Sequence, residues 1–506
     1  MEEEEASRRD VTLWDMSALG AFNTRAPNLL VGWLGLIVLA AAGAITGALS
    51  VALAYVTEPL VSLAVVGAFA AVVLTVVRPM TALYIAVTLI PLELYSFQLG
   101  PAGLTPAEAM FALTGAGWAI GRVMRGQAPF RAAPLGVPLA LLILAVVPGM
   151  GISEDIFRVA KVFIMWSCMY FVYQMVVAEG RPDHVEKLLL VLAISAAVIS
   201  VMATVASGVA QPELVGTGEE ATGRAHGAFG SPNTLGTFEA LAMPGALALA
   251  LGGTTKWRPL GLASFILIFA GLALSLSRGG FLAAAGALAT MLAWPPFRRF
   301  ALISGLVIVL ITNVSGGDSL GDVHFVQVIT GRIASTSYSA QGVDPRFDVW
   351  RGTPRLIEDN PVFGVGENNF PLAAPRYGLF LGTETYEHAH NIPLTVTAEL
   401  GFVGLAALLW VAIALARELV TAYLRAPGYR GLVWALIGAF AAITLQGMVD
   451  YTLRPHVIVG VIVSLAGCAT VLSRAYATRP VPAGRAPPRG SRRVSRVSPS
   501  KPSLYF

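Results

Sequence analysis

The segment EHAHNIPLTVTAELGFVGL, residues 387–405, joins the longest polar stretch of the chain to a hydrophobic helix. That polar stretch covers residues 314–391 and contains Arg346, Arg351 and, near its end, His390. Guanidinium groups match the geometry of phosphate oxygens, and an imidazole can move a proton at neutral pH. We therefore expect the chemistry of this protein to reside in the polar stretch.

The composition indicates a membrane protein. Of the 506 residues 56% are apolar and only 13% are charged, whereas a soluble domain has about 25% charged residues. Mean hydropathy is +0.70, and apolar runs of about 20 residues, long enough to cross a bilayer as a helix, recur along the chain. The acidic N-terminus precedes any apolar run, so a cleavable signal peptide is not expected. Cys168 and Cys468 both lie in apolar segments, which argues against a disulfide framework or a cysteine metal site.

Fourteen candidate transmembrane spans are predicted from the apolar runs. Their centres lie near residues 42, 68, 89, 112, 141, 168, 198, 243, 267, 287, 306, 403, 440 and 464. The fourth is the weakest, because it carries Glu108 and is amphipathic. Arginine and lysine concentrate in alternate loops, which the positive-inside rule assigns to the cytoplasm. The polar stretch 314–391 then faces outward.

This topology divides the chain into five regions. We expect a cytoplasmic N-terminal segment at 1–28, transmembrane helices 1–11 over 29–313, the large outward loop with the catalytic residues at 314–391, transmembrane helices 12–14 over 392–474, and a basic, disordered cytoplasmic tail at 475–506. The tail is expected to lie near anionic lipid headgroups, or to serve only as a topology signal. The sequence shows no internal repeat of the kind found in many transporters.

His390 is the strongest candidate for proton transfer. Asn391 can cap the next helix with Pro393 in its first turn, which places His390 just outside a helix N-terminus. The partial positive charge there disfavours imidazolium, and a neutral imidazole can act as a general base. A loop histidine bonded to a backbone carbonyl remains the alternative. His388 and His390 could also bind a metal, but the sequence offers no obvious third ligand.

Arg278, in LSLSRGGFL, is the first candidate for binding an anion. It lies between two apolar segments, and Gly279 and Gly280 allow a close backbone approach. An arginine near the membrane boundary needs an anionic partner, and a diphosphate suits its planar fork. A turn arginine that reaches to the lipid headgroups is the alternative.

Arg346 and Arg351 belong to DPRFDVWRGTPRL, where Asp344 can cap a short helix that begins with Pro345. One turn after Arg346, Trp350 could anchor this helix in the membrane interface. The alternative for the two arginines is a local ion pair with Asp344 or Asp348.

Arg224 and Glu399 are weaker candidates. Arg224 lies in the outward, glycine-rich loop GRAHGAFGSPN. Glu399 follows His390 by nine residues in an otherwise apolar helix, where a carboxylate usually faces a partner or a wet cavity. Pairing with an arginine and a direct role both remain open for Glu399.

Five blocks occur in a characteristic order. They are RAHGAFGSPNTLG, SRGGFLAAAGAL, RFDVWRGTPRLIEDNPVFGVGENNF, HAHNIPLTVTAELGFVGL and MVDYTLRP, the last containing Asp450. Over roughly residues 220–455 this pattern resembles the O-antigen ligase/polymerase superfamily. That superfamily contains lipopolysaccharide O-antigen ligases, O-antigen and exopolysaccharide polymerases, and some protein O-oligosaccharyltransferases.

The resemblance implies a fold, an activity and a location. It implies an all-α, GT-C-like bundle of about 12–14 transmembrane spans with one large periplasmic loop. The implied activity is inverting glycosyl transfer from undecaprenyl-diphosphate-linked glycans, at the periplasmic face of the bacterial inner membrane, without a metal or cofactor. His390 is the implied base, and Arg278 and Arg346 would bind the diphosphate. Further substrate-binding candidates are Arg351 and Arg224, and supporting candidates are His388, Glu399 and Asn391.

Several functions remain open within and outside this family. The chain length and the basic C-terminal tail favour a Wzy-type polymerase, acting in exopolysaccharide or lipopolysaccharide biosynthesis, over an O-antigen ligase. This preference rests on those two features alone. The expected partners are the lipid-linked glycan donor, a glycan acceptor and membrane lipids. The acceptor would be a lipid-linked repeat unit or the lipid A core. A flippase and a chain-length regulator are further candidates, and no nucleic acid is expected. A lipid-linked oligosaccharide flippase is the alternative from another class, but a transporter would place its ionisable residues near the bilayer midplane. A receptor or purely structural protein would leave the arginines and histidines unexplained.

Overall fold

A computed structural model describes residue 67 and residues 70–99, 102–153, 155–209, 224–252, 256–314, 346–381 and 384–475. The expected N-terminal segment, the span near residue 42, the cap at Asp344 and the basic tail beyond residue 475 lie outside the described residues.

The described residues are almost entirely helical. The helices are α1 Pro79–Thr88, α2 Pro106–Met124, α3 Gly136–Leu144, α4 Gly149–Ile152, α5 Ile156–Glu179, α6 Pro182–Val209, α7 Pro232–Gly252, α8 Arg258–Ser275, α9 Arg278–Met291, α10 Pro295–Val314, α11 Arg346–Asp359, α12 Phe370–Ala373, α13 Ile392–Arg425, α14 Arg430–Gly447 and α15 His456–Arg474. Two antiparallel pairs complete the fold, β1 Phe97–Leu99 with β2 Ala102–Leu104, and β3 Phe380–Leu381 with β4 Glu384–Thr385.

Seven described helices are long and apolar enough to cross a membrane. They are α5, residues 182–205 of α6, α7, α8, α13, residues 427–447 with α14, and α15. Helices α9 and α10 meet at a bend of 117° and form one broken span or a re-entrant pair, so the spans predicted near residues 287 and 306 need not both cross. The spans predicted near residues 89 and 141 correspond to shorter helices. The expected all-α, polytopic architecture is confirmed.

Helix α7 is the centre of the bundle. It packs against α6, α8, α9 and α14, and most of its residues are buried. Small residues allow these helices to approach closely: a Cβ on Gly280 of α9 would lie 2.9 Å from the Cα of Gly236 in α7. Such close backbone contact is the usual way in which helices associate within a membrane.

Helix α13 is broken at Gly401, which has φ 65° and ψ −168°. The loop at residues 361–366 bonds to the backbone exposed by this break: Phe402 N–H donates to Pro361 O at 2.8 Å, and Gly366 N–H donates to Glu399 O at 2.8 Å. Residues 402–425, about 36 Å long at 1.5 Å per residue, suffice to cross a hydrocarbon core of about 30 Å. The short outer segment of α13 that follows Asn391 therefore belongs with the polar loop.

Candidate active site

His390 and Asp450 form the centre of the candidate site. His390 ends the polar loop, Asp450 lies between α14 and α15, and His390 Nδ1 is 3.0 Å from Asp450 Oδ1. Burial raises the pKa of Asp450, but the hydrogen bond with His390 and the charge of Arg346 outweigh it and hold the pKa at about 2. An ionised Asp450 accepts the Nδ1–H of His390, and this arrangement leaves Nε2 as the nitrogen that can receive a proton.

The backbone of His390 is in the left-handed region, with φ 49°. A non-glycine residue there costs of order 1–3 kcal/mol and persists only when its surroundings fix it. His390 N–H donates to His388 Nδ1 at 3.1 Å, and the Asn391 side chain donates to Met448 O at 2.9 Å. Asn391 also caps α13 by accepting Leu394 N–H at 2.9 Å, which confirms the predicted cap.

His388 holds His390 in place and is not a second general base. The two rings lie 4.3 Å apart between centroids. Burial, followed by the neighbouring His390, lowers the pKa of His388 to about 3. His388 is therefore neutral near pH 7, and its Nδ1 is free of a proton where it accepts the backbone N–H of His390.

Arg346 lies directly beside this pair. Its Nη1 donates to Val449 O at 2.7 Å, one residue before Asp450. On the same helix, Trp350 Nε1 donates to Ala389 O at 2.8 Å. Helix α11 thus brings one guanidinium to the pair and fixes the segment that carries His390. Trp350, for which we expected a role at the membrane interface, bonds to that segment.

Arg278 is the first residue of α9, whose N-terminus faces the turn that contains Asp450. Ser277 caps α9 by accepting Gly280 N–H at 3.1 Å. A Cβ on Gly279 would lie 2.6 Å from Gln446 Oε1, and the backbone carbonyl of Gln446 accepts Asp450 N–H at 2.8 Å. A helix N-terminus favours anions, and this one packs against Gln446, the residue whose carbonyl bonds to Asp450.

Arg224 reaches the turn between α8 and α9, next to Arg278. Its Nη2 donates to Asn233 Oδ1 at 2.9 Å and its Nε to Ser275 O at 3.0 Å. Ser277 Oγ donates to the same Asn233 oxygen at 3.3 Å. The structure thereby places Arg224 at the capped end of α9.

Arg351 is not brought to this cluster. Its side chain is 75% exposed and pairs with Asp348 at 3.9 Å, which is one of the ion pairs considered as the alternative. Arg351 is five positions after Arg346 in α11, so the two side chains point to different faces of the helix.

Glu399 is 1% exposed, and its Oε1 accepts Phe370 N–H at 3.1 Å. Within the described residues it forms no ion pair with an arginine. Its carboxylate contacts the polar loop near the break in α13.

Asp450, Tyr451 and Glu367 were not assigned a role from the sequence. Asp450 appeared only inside a family block, although it is the one acid in the short segment between two hydrophobic helices. That isolation was a usable signal, because a carboxylate there needs a partner. Nothing in the sequence indicated that Glu367 and Tyr451 would meet.

His388, His390 and Asp450 could together hold a metal ion. One possible ligand atom from each lies within 4.8 Å of the others, so Asp450 supplies the third ligand that the sequence did not reveal. His388 Nδ1 and Asp450 Oδ1 accept hydrogen bonds within the protein. A structural zinc site has four protein ligands and a catalytic one has three, so these residues are too few for the first kind of site and sufficient in number for the second.

A polar cavity of about 220 Å³ opens in the same loop. Its lining includes Asp359, Asn360, Asn369, Arg376 and Tyr377. Tyr377 O–H donates to Asp359 Oδ2 at 3.0 Å. His390 is not part of its wall, so the cavity could receive only a portion of a substrate remote from the proton transfer.

Residues 263–409 match a family model described as O-Antigen ligase (Wzy_C). The match supports the resemblance to the O-antigen ligase superfamily over this part of the chain. The matched residues include Arg278, Arg346, His388 and His390, whereas Arg224 and Asp450 lie outside them. A comparison with curated proteins gives no match. The chain is thus a polytopic helical protein whose residues 263–409 are similar to the O-antigen ligase family.

Proposed function

We propose that this protein is an inverting glycosyltransferase that uses an undecaprenyl-diphosphate-linked glycan at the periplasmic face of the bacterial inner membrane. The observation that carries the proposal is the His390–Asp450 pair with Arg346 beside it. The favoured activity is that of a Wzy-type O-antigen or exopolysaccharide polymerase. The description of the matched family favours a second candidate, an O-antigen ligase that transfers the glycan to the lipid A core.

The geometry supports a one-step displacement. His390 Nε2 takes the proton of an acceptor sugar hydroxyl, and the acceptor oxygen bonds to the anomeric carbon of the donor. The bond from that carbon to the diphosphate oxygen breaks, undecaprenyl diphosphate leaves, and the anomeric configuration inverts. Asp450 stabilises the imidazolium that forms. Arg346 and Arg278 stabilise the negative charge on the leaving diphosphate.

The proposed scheme needs no metal. The arginines perform the charge stabilisation that a divalent cation would otherwise supply. Transfer activity in washed membranes should therefore remain unchanged after treatment with EDTA. If EDTA abolished the activity and one added divalent cation restored it, we would instead identify His388, His390 and Asp450 as metal ligands.

The proposed partners follow from this chemistry. They are the lipid-linked donor, a lipid-linked repeat unit or lipid A core as acceptor, and membrane lipids, with a flippase and a chain-length regulator as further candidates. The polar cavity near Tyr377 is a place where a sugar unit remote from the reacting bond could bind.

A deletion strain tests the proposal. We would compare rescue by the wild type, by His390→Ala and by His184→Ala, a histidine control that interacts with Arg181 at the start of α6. Lipopolysaccharide and extracted lipid-linked glycans are separated by gel. Single repeat units left on the carrier or core would indicate a polymerase, and long chains stranded on undecaprenyl diphosphate would indicate a ligase. Wild-type glycans from His390→Ala, at equal expression, would refute the proposed mechanism.

A further inference from the structure

Glu367 and Tyr451 take no part in the mechanism above, yet both are buried next to its centre. Glu367 is 4% exposed, and Tyr451 directly follows Asp450. The Tyr451 hydroxyl donates to Glu367 Oε1 at 2.9 Å. This bond joins the polar loop to the segment between α14 and α15.

Tyr451 contacts the catalytic pair through its backbone. Its N–H donates to Asp450 Oδ1 at 2.9 Å, and this is the oxygen that lies 3.0 Å from His390 Nδ1. The Tyr451 ring also packs on His388, with 5.5 Å between centroids. A change in the position of Tyr451 therefore changes the orientation of the Asp450 carboxylate.

The loop that carries Glu367 has a backbone fixed in unusual conformations. Gly364, Gly366 and Asn368 have φ values of 64°, 93° and 62°. A Cβ on Gly364 would collide with the backbone of Glu399, so the loop can lie against α13 only with glycine at this position. The contact places Glu367 in one defined position under Tyr451.

Burying Glu367 in this way costs stability. Within the described residues its Oε2 has no hydrogen-bond partner. A buried carboxylate with an unpartnered oxygen is destabilising, and a glutamine of the same shape would lose less hydration. The carboxylate is better explained by what it does for Tyr451 than by a contribution to folding.

We propose that Glu367 is a positioning residue that acts through Tyr451 to orient the Asp450–His390 pair. The proposal rests on the proposed function in one respect, since it assigns Glu367 to the same catalytic pair.

The positioning contact depends on ionisation. Burial raises the pKa of Glu367 to about 7, against the opposing effects of the Tyr451 hydroxyl and the charge of Arg454. Glu399, on the adjoining part of α13, is the other titratable group that interacts with Glu367, and burial followed by the charge of Glu367 raises the pKa of Glu399. A protonated Glu367 is a weaker acceptor, so the hold on Tyr451 is reduced below about pH 7.

The test is a double-mutant cycle of Glu367→Gln and Tyr451→Phe in the full-length protein in membranes. Each single variant should lower kcat for glycan transfer roughly 10-fold with little change in KM, as for other residues that orient a reacting side chain. The double variant should be no worse than Tyr451→Phe alone, because Glu367→Gln weakens and Tyr451→Phe removes the same hydrogen bond. Glu367→Gln should also lose less activity than the wild type between pH 7 and pH 6.

A second readout does not depend on glycan transfer. Diethyl pyrocarbonate modifies the neutral imidazole, and mass spectrometry gives the rate at His390 separately from His388. Glu367→Gln and Tyr451→Phe should each change the modification rate of His390 in the same direction as Asp450→Asn does. Glu418→Gln and Tyr173→Phe are matched controls, because they remove a buried carboxylate bonded to Ser473 and a buried hydroxyl near Thr470.

Additive effects in the cycle would overturn the proposal. So would unchanged kcat and an unchanged modification rate at His390 in Glu367→Gln, or a loss of melting temperature with no change at His390. An active His390→Ala protein would refute the proposed function and leave this proposal to be decided by other data. The rates of diethyl pyrocarbonate modification at His390 would then still show whether Glu367 positions the pair.

Discussion

The hydrogen bond between Asp450 and His390 determines which imidazole nitrogen receives a proton. A neutral amide at residue 450 would no longer fix Nδ1 as the protonated nitrogen or stabilise imidazolium. Asp450→Asn should therefore reduce glycan transfer by about 10²-fold or more. The measurement is elongated glycan per unit of protein in membranes. Asp183→Asn, a change at a surface ion pair with Lys187, is the control. Near-normal transfer by Asp450→Asn would contradict the assigned role.

The ionisation of Glu367 gives a pH-dependent stability with a defined sign. Burial raises its pKa from the ordinary 4.5 to about 7, so between these values the folded state binds more protons than the unfolded state. Stability then falls as the pH rises through this window. Glu367→Gln removes the buried charge and should melt at a higher temperature than the wild type at pH 8. The two proteins should converge near pH 5. Equal melting temperatures at both pH values would show that Glu367 is not charged at pH 8.

At the scale of residues, local patterns could be predicted and long-range contacts could not. The Asn391 cap depends on three neighbouring residues, so it is visible in the sequence and the structure confirms it. Asp450 is 60 residues from His390, and a contact over that separation depends on how α13 and α14 pack. The positive φ of His390 arises from those same contacts. Arg351 was a candidate because of its spacing, but helix rotation turns it away from Arg346.

At the scale of elements, the break in α13 is the decisive feature. Gly401 has a backbone conformation that is available essentially to glycine alone, and a Cβ would collide with the Val362 carbonyl. Gly401→Ala should lower the melting temperature and abolish glycan transfer, because the loop that carries Glu367 could not dock. Gly305→Ala is the matched control, since a Cβ there meets nothing within 4 Å. A Gly401→Ala protein with wild-type stability would exclude this account of the break.

Hydropathy reveals apolar helices but not how they bend. It predicted separate spans at α9 and α10, whereas the structure shows a 117° bend between two helices that form one broken span or a re-entrant pair. The segment NPVFGVGENNF was recognised only as part of the polar stretch, and its docking onto the broken helix depends on the backbone at residues 398–403. Backbone hydrogen bonds between distant segments leave little trace in composition.

At the scale of the whole molecule, the helices place the candidate site at one end of the bundle. We expect that end to face the periplasm. In a background with Cys168 and Cys468 replaced by alanine, Arg355→Cys in α11 should react with a membrane-impermeant maleimide in spheroplasts. Arg425→Cys, at the far end of α13, should react only after the membrane is permeabilised. The reverse labelling pattern would place the site in the cytoplasm and exclude the proposed donor.

The break at Gly401 also gives the outer segment of α13 a direction of its own. A span of fixed length adapts to a thinner or thicker bilayer by tilting. In an unbroken α13, such tilting would swing Asn391 and His390 along with the helix. Here the polar loop bonds to the backbone on both sides of Gly401, at Glu399 O and at Phe402 N–H. The direction of the residues next to His390 is therefore set by contacts within the protein.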